Sequence, residues 1–171
     1  MRNFLAMARW LIPAAMVCPL ACAPTAAPPP IPTGNAAIDV PGAVAGIDEI
    51  TLERFGHAPN APFYKIVLSK DGTAIDTGEF NVARIGTFQT KIEPEGFRRL
   101  EEMFDRFHYF EMKDGYPFGV DAPEVRTSAS RAGQRKTIDD GWGSTAPVEL
   151  WAIEMAIDGL IAHVTDWTQT K

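Results

Sequence analysis

Between Ile47 and Val164 the apolar residues change their repeat, and that change decides the fold class. In the segment Phe63 to Ser69, Tyr64, Ile66 and Leu68 alternate with Phe63, Lys65 and Val67, the period of two that gives a strand two distinct faces. From Phe97 the repeat becomes helical. Phe97, Leu100, Phe104 and Phe107 fall on one stripe, while Arg98, Arg99, Glu101, Glu102, Asp105 and Arg106 are free to face water. A second helical stripe runs through Leu150, Ile153, Ile157, Leu160, Ile161 and Val164. A run of strands, then a helix, then a polar hairpin and a helix implies an α+β domain.

Turn chemistry places the boundaries. Strands are expected at Ile47 to Phe55, Phe63 to Ser69, Thr73 to Phe80 and about Val82 to Ile92, with Asp71-Gly72 turning the second into the third. Gly78 and Gly86 mark bulges or crowded backbone. Pro94 suits the first turn of a helix, and Glu95 suits its positive end. A hairpin follows at Val125 to Ser130 and Gln134 to Asp139 around Ala132-Gly133, and Ser144 or Thr145 is expected to cap the last helix with Pro147 in its first turn. The expected architecture is an antiparallel meander of about four strands, a helix, a β-hairpin and a C-terminal helix packed on the sheet. It forms a single domain over residues 47–167, with 168–171 as a tail, and 171 residues suit one such unit.

Residues 1–21 read as a signal peptide. Arg2 and Arg9 precede and bound an apolar stretch, Trp10 to Ala21, that is too short to span a bilayer stably. Leu20-Ala21-Cys22 places a small residue before a cysteine, as lipoprotein signals do, although Pro19 stands where the large aliphatic residue usually lies. Cleavage after Ala23 is opposed by Pro24, and cleavage after Ala26 gives the competing soluble product. Lipidation at Cys22 is the expected outcome, with soluble periplasmic release as the alternative. Residues 22–46 form a Pro/Ala-rich tether with almost no large apolar side chain, suited to extended, semi-rigid conformations.

The two cysteines, Cys18 and Cys22, both lie in this leader, so the domain is expected to stand without a disulfide or thiolate metal site. Loss of the signal removes Arg2 and Arg9 and no acid. The balance changes from 16 basic against 22 acidic side chains to 14 against 22, a formal charge of -8. The basic residues are scattered singly or in pairs such as Arg98-Arg99, which argues against nucleic acid as a partner.

The span from Ile50 to about Val164 resembles a bacterial family known as domain of unknown function 6438. The resemblance is carried by Ile50-Thr51-Leu52-Glu53-Arg54, Gly56, Pro62, Tyr64 and Asp71-Gly72-Thr73, then by Ile92, Pro94, Glu95, Phe97 and Leu100, then by Tyr109-Phe110. It implies an exported or lipid-anchored protein and confers no activity. His57 and Ala61 stand where the family usually has two cysteines, so any role of that pair is not expected here.

Chemistry-bearing motifs are sparse. His57, His108 and His163 lie about fifty residues apart, without the spacing of a zinc site. No serine lies in a nucleophile-elbow frame. No metal or other cofactor is expected. The most suggestive stretch is Asp139-Asp140-Gly141-Trp142-Gly143-Ser144-Thr145, where glycines precede a helix and Trp142 offers a flat apolar face. With His57, the residues Asp139, Asp140 and Trp142 form the expected ligand or partner loop. The expected function is an envelope binding module for a partner protein or cell-wall component. The alternative is a hydrolase or other enzyme using His57 with Asp139 or Asp140.

Overall fold

The protein was analysed as a computed structural model, which describes residues 46–56, 60–119 and 121–171. Cys22, the leader, the tether up to residue 45 and His57 lie outside the described residues. Four strands come first: β1 (Ile47–Phe55), β2 (Phe63–Ser69), β3 (Thr73–Phe80) and β4 (Gly86–Lys91). Then come α1 (Pro94–Arg106), a 3-10 turn at Tyr109–Glu111, β5 (Glu124–Arg131), β6 (Gln134–Gly141), α2 (Val148–Ala162) and β7 (Thr168–Gln169). The strands form one antiparallel sheet in the order β6-β5-β1-β2-β3-β4-β7. The α+β expectation holds, with more strands than the four-strand meander. The hairpin joins the same sheet on the free side of β1, and β7 adds a seventh strand.

Alternation along the strands builds the core. Ile50, Leu52, Ile66, Leu68, Ala74, Ala129 and Ile138 share one face, and the apolar stripes of α1 and α2 join them in one cluster. Phe97, Leu100 and Phe104 are the buried residues of α1, and Phe104 lies 4.6 Å from the ring of Tyr109. The buried Tyr109 hydroxyl donates to Thr127 O at 2.7 Å, so the aromatic exit from α1 is part of the core. The other sheet face is polar and laced with cross-strand ion pairs: Lys65–Glu53 at 2.9 Å, Arg126–Asp139 at 2.6 Å and Arg135–Glu49 at 2.8 Å. An antiparallel sheet with helices on one face shows this division.

Three local expectations change. Strand β4 begins at Gly86 rather than near Val82. Gly78 lies so close to the 81–85 segment that a Cβ there would sit 2.0 Å from Arg84 O, and this packed bend takes the place of a longer strand. Neither Ser144 nor Thr145 caps α2. Pro147 is the N-cap residue, extended at φ -64 and ψ 148, and Ser144 Oγ instead accepts the Ala146 N–H at 3.2 Å. Proline disfavours helical conformation in the residue before it, which delays the helix start. Finally, residues 168–171 are more than a tail. Thr168 and Gln169 pair with Gln89 and Phe88, because the turn after α2 returns the chain to the open side of β4.

Candidate functional site

The period of two along β6 sends its neighbouring acids to opposite sides of the sheet. Asp139 lies on the polar face, where Arg126 Nε donates to its Oδ1 at 2.6 Å. Asp140 points to the helix side and is 1% exposed. Its Oδ2 accepts the indole N–H of Trp151 at 3.0 Å and the hydroxyl of Ser144 at 3.4 Å. Its Oδ1 is buried and receives no hydrogen bond from these groups.

Opposite it stands Glu154 of α2, also buried, whose Oε1 accepts from Thr127 Oγ1 at 3.2 Å. Burial, then the charge of Asp140, push the Glu154 carboxyl up to about 8. Burial also raises Asp140, against hydrogen bonds from Glu154, Trp151 and Ser144 and the charge of Arg54. Burial therefore favours a protonated Glu154 at neutral pH beside Asp140.

A second polar group adjoins the first through Arg54, whose charge acts on both acids. Arg54 on β1 meets Asp158 of α2, with Nε 2.9 Å and Nη2 2.8 Å from Oδ2. Tyr64 of β2 donates its hydroxyl to the other oxygen of Asp158 at 2.6 Å. Burial, reinforced by that hydrogen bond, raises the Tyr64 phenol and keeps it neutral.

Above this floor opens a cleft of about 520 Å³, lined by Arg54, Asp140, Trp142, Trp151, Glu154 and Met155 among others. Trp142 is 81% exposed, Met155 65% and Trp151 40%, so its mouth is apolar and aromatic. Two glycines shape the loop that carries Trp142. A Cβ on Gly141 would meet Phe118 Cγ at 2.7 Å and Pro123 O at 2.8 Å, and Gly143 turns the chain at φ +76. Val148 extends the exposed apolar surface at the start of α2.

Of the residues expected from sequence, the structure brings Asp140 and Trp142 to this cleft and places Asp139 on the other face. His57 lies outside the described residues. His163 Nδ1 lies 2.6 Å from Gly159 O in the last turn of α2, the structural role expected near a negative helix end. His108 adopts the left-handed conformation at φ 54 and contacts Glu111 at 3.6 Å. Among the described residues, no group of three or more His, Cys, Asp or Glu could hold a metal ion, and no helix is long and apolar enough to cross a membrane.

Sequence reasoning missed Arg54, Trp151 and Glu154. Glu154 did carry a signal. It lies four residues after Leu150 and three before Ile157, which puts a carboxylate on the buried stripe and demands a partner.

The family model described as "Domain of unknown function (DUF6438)" matches residues 48–161. The chain belongs to this family. The DUF6438 span covers β1 through nearly all of α2, and so contains every residue named at the cleft. No curated protein matches the chain.

Proposed function

We propose that the protein is exported and lipid-anchored through Cys22, and that its domain is a binding module for an envelope protein or cell-wall component. The cleft beside α2 takes the ligand. The observation that carries this reading is Trp142, an indole 81% exposed at the mouth of an apolar cleft, flanked by Trp151 and Met155. Exposed aromatic side chains grouped around a concavity are the usual anchors of recognition. The charged leader, its short apolar stretch and Cys22 before a Pro-rich tether support the address.

The binding reading is tested by placing a photo-crosslinking side chain at position 142 of the full chain in its own envelope. A reproducible crosslinked species, competed away by excess unmodified protein but not by a Trp142→Ala variant, is expected. Crosslinks no different from those at a polar position on the opposite sheet face would sink it. Fractionation and mass spectrometry of the mature N-terminus test the address. Lipid is expected on Cys22 and lost in Cys22→Ala, and a mature chain starting at Ala27 would refute lipidation.

A second, enzymatic reading is favoured by one observation, the two buried carboxyls of Asp140 and Glu154 at the cleft floor. Such a pair is a familiar source of acid–base chemistry. Their exposures of 1% and 3% leave little surface for a reacting atom, so binding is the stronger reading. An identified hydrolytic activity lost in a folded Asp140→Asn variant would reverse that order.

A further inference from the structure

We propose that the cleft recognises a small organic ammonium ion, a cation carrying an apolar body, whose charge is met by the buried carboxylate of Asp140. This rests on reading the cleft as a ligand site and names the class of ligand.

The charges around the floor give the sign. Arg54 from β1 bears on both acids and Tyr109 from the 3-10 turn on Glu154, while Arg54 is itself held by Asp158, which Tyr64 from β2 also bonds. Arg54 is paired with Asp158 at 2.8 Å, and desolvation keeps the half-buried Tyr64 and the buried Tyr109 neutral. The acid pair is left without a directly bonded cation, because Arg54 acts on it through space while its hydrogen bonds go to Asp158. Asp140 Oδ1, buried and without a hydrogen-bond partner, is where the carboxylate is least satisfied. A buried negative charge behind an apolar mouth attracts cations and repels anions.

The mouth favours the same ligand. Indole faces bind cations, more strongly when water is excluded, and two of them border the cleft. Trp151 gives its N–H to Asp140, which fixes the indole edge toward the acid while part of the ring stays exposed. The floor offers little to a neutral polyhydroxylated ligand. Trp151, Ser144, Thr127 and Tyr64 already spend their donors on Asp140, Glu154 and Asp158. The field of the acid pair remains, and it acts without direct contact. A volume of about 520 Å³ suits a small molecule.

The test uses the full chain with 2-phenylethylammonium and its neutral analogue 2-phenylethanol, followed by tryptophan fluorescence and by calorimetry. The ammonium should bind about tenfold tighter than the alcohol. Trp142→Ala, at an exposed position, should weaken it about tenfold. Equal affinity for the alcohol would overturn the proposal. Capture of a neutral envelope ligand at position 142 would also overturn it while leaving the binding reading in place. Silence of both probes, together with no crosslink at position 142, would remove both.

Discussion

Burial of Glu154 makes the stability of the domain depend on pH in an unusual direction. Its carboxyl rises from an ordinary 4.5 to about 8 in the fold, chiefly because burial penalises the charged form. Between those values the folded protein holds a proton that the unfolded chain has released, so stability falls as pH rises. The contribution is fully present below 4.5 and lost through about 8. One proton corresponds to about 1.4 kcal/mol per pH unit, so moving from pH 5.5 to 7.5 should remove roughly 2–3 kcal/mol. Asp71 and Glu95, held down to about 2 by hydrogen bonds from Thr73 and from Arg98 respectively, titrate below this window. Urea unfolding at half-unit steps from pH 5 to 8 measures the slope in the wild type and in Glu154→Gln. The variant keeps a neutral hydrogen-bonding group at every pH. Subtracting its curve cancels contributions common to both proteins. A wild-type curve that runs parallel to the variant's across the window would refute a Glu154 carboxyl held neutral by burial.

Three further outcomes follow from the same geometry. Trp142→Ala should leave stability within about 0.5 kcal/mol of wild type, because the indole is largely exposed. A larger loss in urea unfolding would mean that Trp142 is structural. Phe104→Ala empties the space beside Tyr109 in the middle of the core and should cost about 3–5 kcal/mol in the same assay, with a cost below about 1 kcal/mol counting against the described packing. Ala132→Gly relieves a non-glycine residue held at φ 50 in the β5–β6 turn and should raise stability by about 1 kcal/mol, which calorimetric melting would detect as a higher Tm.

Most of the framework was legible because it depends on local repeats. The apolar stripe of α1, the Asp71-Gly72 turn and the Ala132-Gly133 hairpin each specify their conformation within a few residues. Gly72 and Gly133 indeed take positive φ. Sheet order was less legible. Nothing local tells the β5–β6 hairpin to lie against β1, since that depends on matching Val125, Thr127 and Ala129 to the register of Arg54, Leu52 and Ile50. The site was half legible. The Asp140–Trp142 loop stood out by its composition, but the alternation that separates Asp139 from Asp140 needed the exact strand limits. Arg54 and Glu154 meet from positions 100 residues apart in sequence, which no short motif encodes.

The return of the last residues to β4 bears on how copies of the molecule behave in a crowded compartment. Thr87 N–H donates to Lys171 O at 3.0 Å, and Thr170 N–H donates to Thr87 O at 2.8 Å, so hydrogen-bonding groups that would otherwise line a bare border are occupied. Unoccupied borders of this kind invite a strand from a neighbouring chain and seed aggregation. These few terminal residues act as a plug. Removing that cover should expose a surface that one copy can offer to the next.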